Sequence, residues 1–178
     1  MPKIIENIRE TLISNGKNLL LKESFEKLTL RKICKDSNIA LGTFYNYFEN
    51  KEHFVSEIFL NDWEKINKMV LIINEENISL KEKCRKLYIS LENFLNDYHS
   101  VFYEIAASRK NVYSCVYKDK FKSLYDGVAK WIEKEDSSKK ISSNLSYQEI
   151  SQLLVSNFLN IIKNPFISFD QLYDNFLI

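Results

Sequence analysis

Apolar residues recur along this chain at three- and four-residue intervals, the spacing of one helix face, and an all-α fold is predicted. Ile5, Ile8, Leu12, Leu19 and Leu20 trace a first helix from about Ile4 to Leu21, interrupted by Asn15 and Gly16. Phe25 and Leu28 extend the same small core into the loop that follows. Thr29 is placed as an N-cap, with Leu28 positioned to staple against Ile33, so a second helix begins at Leu30. Leu30, Ile33 and Cys34 give it one narrow apolar face and leave Arg31, Lys32 and Lys35 elsewhere. Ser37 and Asn38 compete for backbone hydrogen bonds, and Asn tolerates the left-handed conformation, so the chain turns there. Ile39 is a single apolar plug, and Ala40 to Phe48 reads as a third short helix.

At about 100° per residue, Leu41, Phe44 and Phe48 fall on one side of that third helix. Gly42, Thr43, Asn46 and Tyr47 fall opposite, with Tyr45 at the boundary. A residue without a side chain, a small hydroxyl, an amide and a phenol can approach base edges and phosphates closely. Asn50 then caps a fourth helix whose first turn holds Lys51, a cation where the helix dipole favours an anion. Helix-start N–H groups beside a lysine make a phosphate site that Tyr45 can share. From Lys51 the apolar period runs through Phe54, Ile58, Phe59, Trp63, Ile66 and Val70 to about Ile73, a rod of roughly 34 Å at 1.5 Å per residue.

Asn74 to Asn77 is a polar break, and Ser79 with Glu82 forms a capping box that opens the next helix. Its stripe of Leu80, Cys84, Leu87, Tyr88, Leu91, Phe94, Leu95 and Tyr98 predicts an end near Asp97. A shorter helix over Val101 to Ser108 and a long one from Tyr113 to about Lys134 are expected next, followed by a mobile loop over the Ser- and charge-rich Glu135 to Leu145. Ser146 with Glu149 starts a helix to Lys163 that is apolar over more than half its circumference. Asn164 and Pro165 stop it, and Ser168 with Gln171 opens a last helix. Such a terminal pair has to cover something outside the subunit as well as its own core, and a second copy is the natural partner. Ile150, Leu154, Phe158, Leu159, Ile162, Leu172, Tyr173 and Phe176 are the candidate dimer contacts; simple closure of a monomeric bundle is the alternative. Tyr88, Phe102, Tyr103, Tyr117 and Trp131 are candidates for lining a cavity for a small, mostly apolar ligand, with ordinary core as the plainer reading.

Composition narrows the function. At 178 residues, 45% hydrophobic and 28% charged, with 3 Gly and 2 Pro, this is a two-part globular helical protein. Without a run of about 18 uncharged apolar residues or an apolar leader, it is expected to be soluble and cytoplasmic, with no membrane partner. The net charge of +1 says little, but five basic residues (Lys27, Arg31, Lys32, Lys35, Lys51) against two acidic ones (Asp36, Glu49) leave residues 27–51 at +3. A local positive charge on a neutral body suits a modest DNA reader that needs two copies. Cys34, Cys84 and Cys115 are scattered without a C-x-x-C pair, and His53 and His99 are the only histidines, so neither a metal nor a cofactor is expected. No paired carboxylates, nucleophile with a nearby His or phosphate-cradling Gly loop points to an enzyme.

The run T-L-R-K-I-C followed by N-I-A-L-G-T-F-Y-N-Y-F-E-N-K-E-H-F resembles the helix-turn-helix of TetR-type (AcrR-like) transcriptional regulators, over roughly residues 6 to 66. Gly42, Thr43, Tyr45, Phe48 and Lys51 match that family's pattern at the right spacing. Ser24 stands where a glycine usually ends the first helix, Asn38 replaces the turn glycine, Ala40 the usual cap of the recognition helix, and Lys32 a frequent acidic residue. The resemblance implies an N-terminal helix-turn-helix domain over residues 1–50, with the motif at about 29–48. A helical regulatory and dimerisation domain over 51–178 would follow, its last two helices forming a four-helix dimer interface. It implies a homodimer that binds double-stranded operator DNA, most simply a repressor released by an unknown small-molecule effector. Thr29, Arg31, Lys32, Leu41, Gly42, Thr43, Tyr45, Asn46, Tyr47 and Lys51 are the candidate DNA contacts. Arg31 and Asn46 are the base readers by donor geometry, and Tyr45 and Lys51 the phosphate holders. A helical accessory protein of the same fold, acting through protein partners without reading DNA, is the alternative.

Overall fold

The computed structural model describes residues 7–107, 116–136 and 144–176, and among these every regular element is an α-helix. In chain order they are α1 (Ile8–Glu23), α2 (Leu30–Asp36), α3 (Leu41–Tyr45), α4 (Lys51–Asn74), α5 (Leu80–Ala107), α6 (Val116–Asp136), α7 (Tyr147–Lys163) and α8 (Phe169–Phe176). None of the described helices is long and apolar enough to cross a membrane. The chain divides into two compact units, Met1–Asp62 with Asp97–Ser114, and Trp63–Asn96 with Cys115–Ile178.

The first unit holds α1 to α3, the first half of α4 and the last part of α5. Its α1 begins at Ile8, and the expected Ile5 lies outside the described residues. The buried face is Leu12, Ile13, Gly16 and Leu20, which takes in Ile13 and leaves Leu19 half-buried. Ser24 ends α1 at φ 140°, ψ 166°, a region favourable to glycine and strained for a side chain. The α4 residues Phe54, Val55, Ile58 and Phe59 are wholly buried here. Asp62, 8% exposed, is held by the Lys17 ammonium at 2.6 Å and by the Tyr98 hydroxyl, which donates at 2.6 Å. That bond explains one departure from the sequence expectation. Instead of a helix ending near Asp97 and another starting at Val101, α5 runs on without a break. Tyr98 and Val101 continue the stripe of Leu91 and Phe94 inward, while Asp97, His99 and Ser100 face water.

The second unit is built from the rest of α4 and α5 with α6, α7 and α8. Trp63, Ile66, Val70 and Ile73 continue the α4 face, and Trp131 of α6 donates its indole N–H to the Val70 carbonyl at 3.2 Å. Gly127 permits this approach: a Cβ there would sit 2.5 Å from Val70 Cγ1. The capping boxes at Ser79/Glu82 and Ser146/Glu149 both form, and the pairing holds Glu82 and Glu149 below the ordinary carboxylate range. Ser168 and Gln171 exchange the equivalent bonds at the start of α8. The helix expected to stop at Lys134 extends through Asp136, which shortens the loop predicted from Glu135. Residues 137–143 of that loop, and Tyr113, lie outside the described residues.

Candidate nucleic-acid interface

Thr29 fixes the start of α2: its backbone is extended and its hydroxyl accepts from the Lys32 amide at 3.3 Å. The helix stops where the Ile39 amide donates to the Cys34 carbonyl at 2.9 Å and Asn38 takes φ 54°, a left-handed state its short amide tolerates. Ile39 is then buried as the plug of the turn. The next helix is shorter than the expected Ala40 to Phe48. α3 is five residues, after which the Asn46, Tyr47 and Phe48 amides close tight turns on Thr43 and Phe44 carbonyls. A helix that short is unstable alone, and Ala40 gives it no side-chain cap. Packing holds it instead. The wholly buried Phe44 ring meets Phe48 at 5.2 Å and Phe54 at 5.1 Å, and those two rings meet at 4.8 Å.

The two residues that interrupt the apolar face of α1 turn out to brace this arrangement. Asn15 Nδ2 donates to Ser37 Oγ at 3.1 Å, tying α1 to the turn between α2 and α3, with Ser37 only 5% exposed. Gly16 lies against the Phe54 ring so closely that a Cβ would fall 2.3 Å from Phe54 Cζ. A further brace has no sequence signal, because its partners are 48 positions apart. Arg9 pairs with Glu57, which His53 Nε2 approaches at 3.7 Å, and the guanidinium lies 5.9 Å from the Phe48 ring centre.

With Phe44 inward, the opposite side of α3 faces water. Gly42, Tyr45, Asn46 and Tyr47 are exposed, Leu41 is at the margin, and Thr43 is half-buried. Gly42 has no positive φ, and a Cβ there would meet nothing within 4 Å. No contact among the described residues therefore requires glycine at that position.

The flanking cations are placed unequally. Arg31 is exposed on α2. Lys32 is ion-paired with Glu23, and Thr29 is engaged as the α2 cap. Lys51 is half-buried at the start of α4, its ammonium 3.4 Å from the Glu26 carbonyl and 4.4 Å from the centre of the Phe25 ring. The predicted cap of that helix forms, Asn50 Oδ1 accepting from the His53 amide at 2.7 Å. The ring of Tyr45 stands edge-on to Phe44 at 5.7 Å.

The structure does not gather the candidate ligand residues into one site. Phe102 packs on Phe59 and Tyr98 in the first unit, where Tyr103 is 75% exposed. In the second unit, Tyr88 packs between Phe158 and Phe169, and burial raises its phenol above the ordinary value. Trp131 is buried with its donor used by Val70, and the Tyr117 side chain lies outside the described residues.

Several candidate dimer contacts belong to the chain's own core. Ile150, Leu154, Phe158 and Leu172 are buried, with Phe158 against Tyr88 and Phe169. Tyr173 stacks on Phe169, Leu159 and Ile162 are half-buried, and the Phe176 side chain lies outside the described residues. The outward apolar residues of this region are Leu145 and Leu153, each 43% exposed, and Phe166, 66% exposed.

Residues 12–58 match the family model described as bacterial regulatory proteins, tetR family. The chain is 34% identical over 50 residues to the dhaKLM operon transcriptional activator DhaS of Lactococcus lactis, a match covering 28% of this chain and 27% of that protein. The match thus spans about a quarter of the relative's length. Among solved structures, Salmonella enterica GusR superposes with a TM-score of 0.72 at 17% identity, covering 98% of this chain and 96% of that one. FadR of Bacillus subtilis, solved with stearoyl-CoA, superposes at 0.63 and 16% identity, covering 94% and 95%. At these identities the structural likeness is one of fold.

Proposed function

From the match of residues 12–58 to the tetR family model, we propose that the protein is a TetR-type, dimeric transcriptional regulator that reads operator DNA with α3. The observation that carries the reading is the outward face of α3. Gly42 on α3, and Asn46 and Tyr47 in the turn that ends it, are open to solvent over an anchor of three phenylalanine rings, and the open space at Gly42 lets the backbone approach a groove closely. Asn46 is the side chain equipped for a bidentate contact to adenine, with exposed Arg31 as the second base reader. Lys51 and Tyr45 would hold phosphates, which asks Lys51 to turn one donor outward from beside Glu26.

Two such faces are needed for tight binding by a domain of modest charge, and a palindromic site fixes their spacing. The second copy would meet the outward side of α7 around Leu153, which shares a surface with Leu145, rather than the residues buried in the chain's own core. Regulation by a small molecule is part of the same reading. It is supported by the stearoyl-CoA complex of the FadR neighbour and by the buried Asn67 side-chain carbonyl on α4, which receives no donor among the described residues. Because α4 is one unbroken helix from Lys51 to Asn74, a twist imposed near Asn67 would be carried to the reading head. Whether binding represses or activates depends on where the operator lies.

Titrating salt against binding to the DNA upstream of its own gene tests the function. Affinity should fall steeply and linearly on a log–log plot, by about 0.9 per phosphate contacted. An affinity that is absent or indifferent to salt would mean that the protein acts through protein partners instead.

A further inference from the structure

A groove of about 580 Å³ runs along the second unit between α4 and α5. Lys65, Lys68, Met69 and Ile72 line it from one helix, and Lys86 and Ile89 from the other. On α4 the positions Lys65, Lys68, Met69 and Ile72 follow the i, i+3, i+4, i+7 rule, so one stripe forms a wall about 10 Å long at 1.5 Å per residue, with Glu76 just beyond the helix end. The floor is closed where the Ser90 hydroxyl meets Met69 Sδ at 3.3 Å. Ile72 is 66% exposed and Ile89, on the facing helix, 46%. Singly such residues mean little; side by side in a groove they mark a surface that another molecule covers.

The rim carries lysines on both walls against a single carboxylate, Glu76, which pairs with Lys86 at 2.5 Å. The occupant should therefore be apolar along one line and acidic along its flanks. It should also be long, because the groove is open along its length, whereas a small-molecule site encloses most of its ligand.

The same chain already shows what α5 accepts in this style. On a different stripe of α5, Lys81 and Arg85 receive α8. Lys81 pairs with Asp174 at 2.6 Å and with Asp170 at 3.1 Å, Arg85 pairs with Asp170, and the guanidinium lies 4.5 Å from the Phe169 ring centre. Those contacts hold the Asp170 carboxyl below its ordinary range. An acidic helix with aromatic and aliphatic anchors is thus a ligand that α5 binds through paired Lys/Arg and apolar contacts. We propose that the Lys65/Lys68/Ile72/Lys86/Ile89 groove is a docking site for an acidic amphipathic helix of a partner protein, laid between α4 and α5.

The test uses the full-length chain and a fluorescent synthetic peptide of about 18 residues, long enough to span the groove as a helix. Its leucines are spaced i, i+3, i+4, i+7 and flanked by glutamates; a control peptide replaces each glutamate by lysine. The acidic peptide should bind at least about tenfold more tightly than the basic one. Ile72→Glu and Lys68→Glu should each weaken it by about tenfold or more, with thermal unfolding and DNA binding unchanged because both side chains are solvent-facing. Arg85→Ala should leave peptide affinity as it was, which separates this groove from the α8 seat. Equal binding of the two peptides, or affinity that survives Ile72→Glu, would overturn the proposal. So would sedimentation showing that Ile72→Glu splits a wild-type oligomer, since a second copy would then occupy the groove. Displacement of the peptide by dodecanoate at concentrations lower than those of unlabelled peptide needed for the same effect would point to a small amphiphile and would also overturn it.

Discussion

α3 and α7 use their apolar residues in opposite ways. α3 is five residues long and buries one of them, Phe44, completely; its other side is polar and open. α7 is 17 residues long and apolar around more than half its surface, yet Ile150, Leu154, Val155, Phe158 and Ile161 are all buried by the chain itself. The short helix leaves its polar side facing outward, and the long one turns most of its apolar surface inward. A wide apolar stripe is therefore no measure of how much surface a helix offers to another subunit. The measure is what remains exposed after the chain has packed, which on α7 is chiefly Leu153, with Leu159 and Ile162 half-buried.

The largest effect expected from this contrast is at α7. Phe158→Glu places a carboxylate among the rings of Tyr88 and Phe169 and should destabilise the second unit by more than about 4 kcal/mol. Leu153→Glu, at a side chain 43% exposed, should leave the unfolding temperature alone and abolish the proposed dimer in sedimentation. If Leu153→Glu unfolds the chain, or Phe158→Glu yields folded monomers, the division between core and interface on α7 is misplaced.

A smaller effect is expected behind α3. Gly16→Ala drives a methyl into Phe54, whose ring is hemmed in by Phe44 and Phe48, and should cost about 1–3 kcal/mol despite the better helix propensity of alanine. A chemical denaturation midpoint that rises in this variant would contradict the close packing. Smaller still, and of opposite sign, Ser24→Gly relieves the strained backbone at the end of α1 and loses one long contact, Ser24 Oγ accepting from the Lys27 amide at 3.4 Å. It should stabilise the protein by about 0.5–1 kcal/mol, read by the same denaturation.

The same contrast explains what could be read in the sequence. The reading head was legible because its signals are local: Thr29, Asn38 and Asn50 act on backbone groups within four residues, and the cap at Thr29 and the left-handed turn at Asn38 form where the side-chain chemistry predicts. Contacts between distant positions were not. Asn15 and Gly16 look like flaws in an apolar face until Ser37 and Phe54 are seen beside them. The continuity of α5 through Asp97–Ser100 rests on a Tyr98 bond to Asp62, 36 positions away, and polar local residues gave no hint of it. At the C-terminal helices the period was correctly read, but period alone does not tell an inward face from a shared one.

The central claim is that the outward face of α3 meets DNA, and Gly42 tests it most directly. A Cβ at Gly42 meets nothing within 4 Å among the described residues, so Gly42→Leu should fold with an unchanged unfolding temperature and sediment as the wild type does. Its side chain would nevertheless stand between α3 and the floor of the groove, and operator affinity measured by fluorescence anisotropy should fall by about a hundredfold or more, roughly 2.7 kcal/mol. An unfolding temperature and an operator affinity both equal to wild type would contradict the account, because the face it assigns to DNA would then touch none.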